Sequence, residues 1–378
     1  MTQGTSWIEI DRRRLSSNVG AFRSLVAPDC ALMIVVKANA YGLGLSEVAP
    51  LIAGDADWLG VNSLDEALAL ARLGIEKPIA ILGYTPESRA GEVVRHGFHQ
   101  VVFRRDSAES FSEAAREANR TALVHIKVET GTHRLGVPVS ELEAFLGEMG
   151  TLPGLRVEGM YTHFANIEDT LDPSFAELQI QRFREALEIT KRAGVEPRLV
   201  HAAATAGVLL YPETHFSMVR VGIGAYGVWP SRETRLAARQ RSGREISLQP
   251  VLSWKTRIAQ IKDVAAGDFI GYGLTYEARR PMQVAVIPVG YYEGLDRKLS
   301  NSGRALVRGQ SAPMVGRVAM NMVVLDVTAT GASVGDEVVL IGEQDEAEIT
   351  VEELAEKTGT ISYEVLARIH PFLPRVVV

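Results

Sequence analysis

The sequence predicts an α/β protein in which a (β/α)8 TIM-like barrel is followed by a separate, mostly-β C-terminal domain. At 378 residues the chain is too long for one compact core. Between Ala31 and Gly227, eight short apolar runs alternate with amphipathic stretches, and beyond Ser231 short Val/Ile-rich segments are separated by Gly and Asp. We therefore expect a barrel over 12–236 and a β domain over 237–378, which also includes residues 1–11.

The eight apolar runs are rich in Val and Ile and lack polar alternation, which is typical of parallel strands covered by helices. They are Leu32–Lys37, Trp58–Val61, Ile79–Leu82, Gln100–Phe103, Ala122–Val128, Arg156–Thr162, Arg198–His201 and Met218–Gly222. Helices are expected between them, among them Asp65–Leu73, Ser107–Asn119, Val139–Met149 and Ser174–Ala193. Eight repeats favour a closed barrel, with a doubly wound open sheet as the alternative.

The region after the barrel begins with Ser231–Gly243, which is polar and Arg-rich and is interpreted as a linker. One helix is expected at Val351–Thr358, where Thr350 and Glu353 have the spacing of a capping box. The segment Ser6–Ile10 resembles a strand and is expected to pair with the β domain. Further strands are expected at Val251–Ile261, Gln283–Ile287, Ala305–Val307, Val323–Val327 and Glu337–Ile341.

Composition and charge exclude several classes of function. The net charge of −6 argues against a broad nucleic-acid surface, and the single cysteine, Cys30, has no intrachain disulfide partner. The first fourteen residues lack the apolar stretch of a signal peptide, and the apolar run 31–36 is too short to span a membrane. We expect a cytoplasmic enzyme with a small-molecule substrate and without a metal, nucleic-acid or membrane site.

In a barrel, functional groups gather where the strands end. Lys37 follows an unbroken apolar run, so desolvation should lower its pKa and favour the neutral amine that Schiff-base chemistry needs. The alternative is a strand-end lysine that reaches solvent. Other candidates at strand ends are Lys127, Glu129, Arg134, His163, His201, Thr205, Arg220 and Gly222.

Sequence motifs along nearly the whole chain resemble those of the alanine racemase family. The segment VVKANAYGLG (35–44) is similar to the family's cofactor-lysine signature, although Leu43 replaces the usual His. Further similar segments are HIKVETG (125–131), RLGV (134–137), GMYTHFA (159–165), MVRVGI (218–223), GYGLTY (271–276), IPVGY (287–291), GRVAMN (316–321) and TISYEVL (360–366).

The resemblance implies a pyridoxal 5'-phosphate enzyme that racemises alanine with two bases and supplies D-alanine for peptidoglycan. Lys37 would hold the cofactor as a Schiff base and serve as one base, and Tyr272, from the partner subunit of a homodimer, would be the other. A purely structural Tyr272 in a Gly-rich turn is the alternative. A phenol needs nearby cations to act as a base at neutral pH, and His163 and Arg220 are suited to that purpose.

The resemblance also assigns cofactor contacts. Arg220 would face the pyridine nitrogen, with a salt bridge to a carboxylate as the alternative, and His201 would support the site. Thr205 is a phosphate contact or simply a helix N-cap; the usual family segment His-x-Ala-Asn-Ser-Ala is HAAATA (201–206) here, so Ala204 lacks an amide side chain. The expected cofactor-binding set is Lys37, Tyr41, His163, Thr205, Arg220, Gly222, Ile223 and Tyr363.

For the substrate carboxylate, the resemblance points to Arg134 and the backbone N–H of Met320. Lys127 is typically carbamylated in this family, and a carbamate would orient Arg134 rather than repel it. An ordinary Lys127–Glu129 surface pair is the alternative. Entrance residues would be Tyr291, Arg297, Arg317 and Glu168, with Asn321 and Ala319 departing from the common Asp and Cys.

Rival functions share this scaffold or part of it. Serine, or lysine and ornithine, are alternative substrates for a racemase, because one methylene changes binding by only about 1–3 kcal/mol. A barrel-type amino-acid decarboxylase lacks support, since the Cys-containing substrate motif expected of it is not found. A non-catalytic pyridoxal-phosphate-binding protein would not need the long region that contains Tyr272, Met320 and Tyr363.

Overall fold

The computed structural model describes residues 4–242 and 246–378. Eight parallel strands form a closed ring. These strands are β2 (Ala31–Val35), β3 (Trp58–Val61), β4 (Ile79–Ile81), β5 (His99–Val102), β6 (Ala122–Glu129), β8 (Leu155–Tyr161), β9 (Leu199–His201) and β10 (Met218–Val221). The ring is closed because β2 pairs with both β3 and β10, and β5 pairs with β6. The predicted barrel is confirmed, and the open-sheet alternative is wrong.

Helices cover the barrel, and their buried faces carry the apolar residues of each amphipathic stretch. One of them begins with a reciprocal capping box between Ser63 and Glu66, which have the Ser-x-x-Glu spacing typical of this motif. The barrel helices are α1 (Arg12–Arg23), α2 (Leu45–Ile52), α3 (Leu64–Arg72), α4 (Ala90–His96), α5 (Arg105–Glu117), α6 (Leu142–Met149), α7 (Ser174–Arg192), α8 (Thr205–Leu210) and α9 (Arg232–Ser242). A short strand, β7 (Val137–Pro138), extends the sheet beside β6.

The second domain is mostly β and includes the first strand of the described residues. Strand β1 (Ser6–Ile10) pairs antiparallel with β11 (Leu252–Arg257) and parallel with β21 (Arg375–Val377), which confirms the predicted pairing. Two smaller sheets adjoin this large one. The other strands are β12 (Gln260–Val264), β13 (Phe269–Ile270), β14 (Tyr276–Glu277), β15 (Met282–Ile287), β16 (Arg304–Val307), β17 (Gln310–Pro313), β18 (Val323–Asp326), β19 (Glu337–Gln344) and β20 (Ala347–Ile349).

The structure corrects the predicted linker. Residues 232–242 of Ser231–Gly243 form α9, while Gly243 lies outside the described residues. Ser231 accepts a hydrogen bond from the Thr234 N–H, and Thr234 and Ala238 are fully buried at helical spacing. The segment therefore forms a helix that buries small residues between its arginines, although its overall polarity suggested a loop.

Two details of the β domain also differ from prediction. The segment Val251–Ile261 is divided between β11 and β12, and a second helix, α11 (Ser362–Ala367), follows the predicted α10 (Val351–Thr358). Thr350 caps α10 by accepting from the Glu353 N–H at 3.1 Å, but the Glu353 carboxylate pairs with Arg304. The capping box is therefore confirmed for its Thr350 half.

Two further observations concern membranes and thiols. Among the described residues, every helix is too short or too polar to cross a bilayer. Cys30 is a buried free cysteine.

Candidate active site

A cavity of about 550 Å³ opens at the carboxyl ends of the barrel strands. It brings together most of the predicted site residues from strands that are distant in sequence, as expected for this fold. Those that line it are Lys37, Tyr41, Lys127, Arg134, His163, Glu168, Thr205, Arg220, Gly222, Ile223 and Tyr363.

Lys37 begins a left-handed helical turn. Ala38, Asn39, Ala40 and Tyr41 have φ values of 54°, 55°, 52° and 54°, a conformation that costs roughly 1–2 kcal/mol for each L-residue. The turn has its own hydrogen bond, from Gly42 N to Ala38 O at 2.9 Å. The reversed hand orients both Lys37 and Tyr41 so that they line the cavity.

Hydrogen bonds to residues outside the turn hold it in place. The Ala38 N–H donates to Glu66 Oε1 at 2.6 Å, and the Leu45 N–H donates to Asn39 Oδ1 at 2.8 Å. Gly42, at φ 85°, lies so close to the C-terminal helix that a Cβ would be 2.0 Å from Leu366 O. These tertiary contacts, rather than local propensity, stabilise the turn.

The cavity amines are poorly solvated. Burial, and then the positive charge of Arg134, lower the pKa of Lys37, while Glu66 partly opposes this effect. Lys127 is only 3% exposed, and burial followed by Arg134 and Arg220 lowers its pKa to about 8. The interpretation of Lys127 as part of a surface pair is therefore wrong. Lys37 is half-buried and lines the cavity.

Positive charge dominates the cavity. Burial lowers the pKa of His163 far below its ordinary value, and Arg220, Arg134, Lys127 and Lys37 all act in the same direction. The imidazole is therefore neutral, and four cationic side chains surround a single space. Such a space favours an anionic ligand.

Arg220 is buried and has neutral acceptors. It donates from Nη1 to His201 Nδ1 at 2.6 Å and from Nη2 to the carbonyls of Thr162 and Ala202 at 2.8 and 2.9 Å. Its guanidinium also lies 5.0 Å from the Tyr161 ring centroid. Burial lowers its pKa to about 10, so it remains a cation at neutral pH. The alternative of a carboxylate salt bridge is wrong for the described residues.

Thr205 connects the loops that follow the seventh and eighth strands. Its Oγ1 accepts from Gly222 N at 3.2 Å and from Gly224 N at 3.4 Å, whereas α8 has Ala204 as its N-cap, without a side-chain bond. The N-cap alternative for Thr205 is therefore wrong. A Cβ on Gly222 would lie 2.3 Å from Tyr41 Oη, so glycine provides the room that this buried phenol occupies.

The remaining predicted residues lie elsewhere. Tyr272, Met320 and Tyr291 are 73%, 55% and 43% exposed on the β domain and do not line the cavity of their own chain. Arg317 packs next to Gly273, close to Tyr272, and Arg297 lines a separate hollow with Tyr291. His201 lies fully buried beneath the cavity, bonded to Arg220.

Sequence reasoning missed several supporting residues. Glu66 and Asn39 hold the left-handed turn, and His99 and His125 lie inside the barrel, next to His201. For the histidines a signal was present, because an ionisable residue inside an apolar parallel strand needs a buried partner. For Glu66, no sequence pattern indicated its bond to the Ala38 N–H.

The fold and the site define a class of protein: a barrel enzyme with a β domain, whose half-buried Lys37 lies in a cavity lined by cationic side chains. The family profile described as "Alanine racemase, N-terminal domain" matches residues 10–230, and "Alanine racemase, C-terminal domain" matches residues 251–377. The chain belongs to the alanine racemase family.

Individual relatives agree over the full length. A protein of Leptospira interrogans named alanine racemase is 42% identical over 99% of this chain and 96% of its own. The solved alanine racemase of Clostridium difficile 630 has a TM-score of 0.93 at 30% identity, covering 100% of this chain and 97% of its own. A structure titled as a histidine racemase, from Leuconostoc mesenteroides, also matches, with a TM-score of 0.89, 29% identity, and coverage of 100% and 99%.

Proposed function

We propose that this protein is an alanine racemase that interconverts L-alanine and D-alanine with pyridoxal 5'-phosphate as its cofactor. The observation that carries the proposal is a desolvated amine, Lys37, in a cavity that has an excess of positive charge. The names of full-length relatives support alanine as the substrate. The histidine racemase title belongs to a protein of the same fold, so fold alone does not select the amino acid.

The residues present fit the cofactor. The lowered pKa of Lys37 increases its neutral fraction, which is the form that bonds to an aldehyde as a Schiff base. A phosphate group supplies the negative charge that the cationic cavity lacks, and Tyr41, Thr205, Gly222 and Ile223 are the residues that would hold it. When bound, the cofactor withdraws electrons from the substrate Cα and so acidifies its proton.

Racemisation requires one proton transfer from Cα and another to it. We assign these transfers to Lys37 Nζ and to Tyr272 Oη. Tyr272 is largely exposed on its own chain, which supports an assignment to the cavity of a second copy. His163 is neutral and Arg220 cationic, so Arg220 is the nearby charge available to favour a phenolate.

Arg134 and the Met320 backbone N–H are assigned to the substrate carboxylate. The positive charge of an unmodified Lys127 helps to lower the pKa of His163, and a carbamate on Lys127 would instead be an anion beside Arg134. Glu168 and Tyr363 narrow the cavity, and Tyr291, Arg297 and Arg317 are assigned to the entrance of the shared site. The proposed cellular role is the supply of D-alanine for peptidoglycan in the cytoplasm.

The activity is tested by incubating the holoenzyme with L-alanine in deuterated water. We expect optical rotation to disappear while deuterium enters at Cα, and we expect Lys37→Ala to abolish both changes. Serine, lysine, ornithine and histidine, tested in parallel, identify the preferred substrate. A cofactor-loaded enzyme that leaves L-alanine chiral would overturn the assignment, as would faster racemisation of one of the other amino acids.

The shared site is tested by mixing two inactive variants, Lys37→Ala and Tyr272→Phe. Random exchange of subunits makes half of the dimers mixed, and each mixed dimer has one site with both residues, so about a quarter of the wild-type activity should return. Mixtures that stay inactive although mass spectrometry detects mixed dimers would show that Tyr272 acts within its own chain.

A further inference from the structure

Three histidines form a continuous hydrogen-bonded chain inside the barrel. His99 Nδ1 lies 3.1 Å from His125 Nε2, His125 Nδ1 lies 2.9 Å from His201 Nε2, and His201 Nδ1 lies 2.6 Å from Arg220 Nη1. The chain extends from the first residue of β5 to the last residue of β9, and all three rings are buried. Among the described residues, no cluster has the composition of a metal site, so these rings need another explanation.

The direction of every hydrogen bond follows from one fact. A guanidinium only donates, so His201 Nδ1 must accept from Arg220. In a neutral imidazole the other nitrogen then carries the proton, so His201 Nε2 donates to His125 Nδ1. By the same reasoning, His125 Nε2 donates to His99 Nδ1. All three rings are therefore fixed as the Nε2–H tautomer.

Protonation of any ring would disrupt this order. If a ring gained a second proton, or if the direction of the hydrogen bonds were reversed, the chain would end with an N–H on His201 Nδ1. That N–H would face the N–H of Arg220. Burial lowers the pKa of His201 and His125 far below the ordinary value and that of His99 to about 4. The charged groups that act on His99 are Glu158 and its ion-pair partners Arg156 and Arg198.

The surroundings are built to accommodate the chain. A Cβ on Gly159 would lie 2.2 Å from His125 Nδ1, so a glycine on the neighbouring strand provides the space for that ring. Trp58 contacts His99 edge-on, with 4.5 Å between centroids, and Tyr161 stacks on His201 at 4.7 Å. These contacts fix the planes of the rings, and hence the directions of their nitrogens.

We propose that His99, His125 and His201 are positioning residues that hold Arg220 in place through neutral acceptors and leave its positive charge uncompensated toward the cavity. A carboxylate in place of His201 would neutralise that charge. The chain orients the guanidinium and keeps it available to an anionic or electron-rich ligand. The catalytic consequence rests on the proposed racemase function, whereas the tautomer assignment does not.

The first test is ¹⁵N NMR of the histidine-labelled holoenzyme. We expect the signals of His99, His125 and His201 to show the Nε2–H tautomer at about pH 7. A cationic ring or an Nδ1–H tautomer at His201 would overturn the proposal. This measurement does not depend on racemisation, so an inactive protein with the expected tautomers would refute the proposed function alone.

The second test compares His125→Gln with His125→Leu. A glutamine amide can accept from His201 and donate to His99, whereas leucine leaves the His201 N–H without a partner. We expect His125→Leu to lower kcat roughly tenfold with little change in KM and to shift the ¹⁵N signals of His201 and Arg220. His125→Gln should restore the wild-type kcat and the wild-type signals.

His96→Phe, at an exposed histidine stacked on Phe98, is the matched control and should change neither measurement. Equal loss of kcat in the Gln and Leu variants would indicate a packing role and overturn the proposal, as would a His125→Leu enzyme with unchanged kcat and unchanged His201 signals. If His125→Leu does not fold, the ¹⁵N measurement on the wild type still shows whether the three rings have the proposed Nε2–H tautomer.

Discussion

Lys127 is expected to destabilise the protein when it is unmodified, so that Lys127→Met should make the chain more stable. Burial and neighbouring cations lower its pKa from 10.5 to about 8. Since each unit of pKa corresponds to about 1.4 kcal/mol, this lowering represents about 3 kcal/mol of destabilisation. Loss of the contact between Lys127 Nζ and the Tyr161 ring, at 5.6 Å, offsets about 1 kcal/mol, which leaves a net gain of about 2 kcal/mol.

The sign of this effect depends on pH. Below pH 8 both the folded and unfolded chains hold the proton, and the destabilisation is fully present. Between about pH 8 and 10.5 the unfolded chain binds a proton that the folded chain has lost, so the stability of the wild type rises with pH. The advantage of Lys127→Met should therefore be greatest at pH 7 and should be lost as the pH rises from about 8 to 10.5.

Urea denaturation of the cofactor-free protein, without bicarbonate, measures this difference. Lys255→Met is the matched control, because Lys255 pairs with Glu9 and Glu337, its pKa is raised, and its loss should lower stability. At pH 7 roughly a tenth of Lys127 is neutral, against roughly three parts in ten thousand for an ordinary lysine, so bicarbonate should modify it selectively. Added ¹³C-bicarbonate should then stabilise the wild type and give a carbamate signal that Lys127→Met lacks. A Lys127→Met variant less stable than the wild type at pH 7 would refute this reasoning.

Three other predictions test the site more briefly. Ala38→Gly should stabilise the protein by roughly 0.5–1 kcal/mol, since Ala38 is exposed at φ 54°. Ala144→Gly in α6 should instead destabilise the protein, and the melting temperatures of the two variants measure this difference. Gly159→Ala should cost about 2 kcal/mol by displacing His125, and an unchanged melting temperature would contradict the close approach. Because the pKa of Lys37 is lowered, capture of pyridoxal phosphate by the cofactor-free enzyme should reach its maximal rate at a lower pH than capture by free lysine, as stopped-flow absorbance can test.

Hydrophobic patterning was sufficient to predict the barrel. All eight parallel strands lie within two residues of their predicted bounds, because buried parallel strands are unbroken apolar runs bordered by polar loops. Hydrophobic patterning failed at α9, where the buried side chains are small and the arginines dominate the composition. It also could not predict the left-handed turn after Lys37, since the local preference of alanine opposes that conformation and distant contacts impose it.

Some site residues could be predicted from the chain alone, and others could not. Position at the end of a barrel strand indicated Lys37, His163 and Arg220 from the chain alone, and the cavity contains all three. The resemblance was needed for Tyr272 and Met320, because no pattern within one chain indicates a residue that would act in another. For His99 and His125 the sequence indicated a need for buried partners but not which partners, because the bonds between them form only in the assembled barrel.

Strands β1 and β21 are far apart in the sequence but adjacent in one sheet, and this has a consequence for biosynthesis. The Ile8 N–H donates to Pro374 O and the Val378 N–H donates to Ile10 O, so β1 completes its pairing only after the barrel and β21 have been synthesised. During translation β1 has an open edge while the intervening barrel forms, and unpaired edges promote association with other chains. Removal of β1 or of β21 should therefore impair the same sheet.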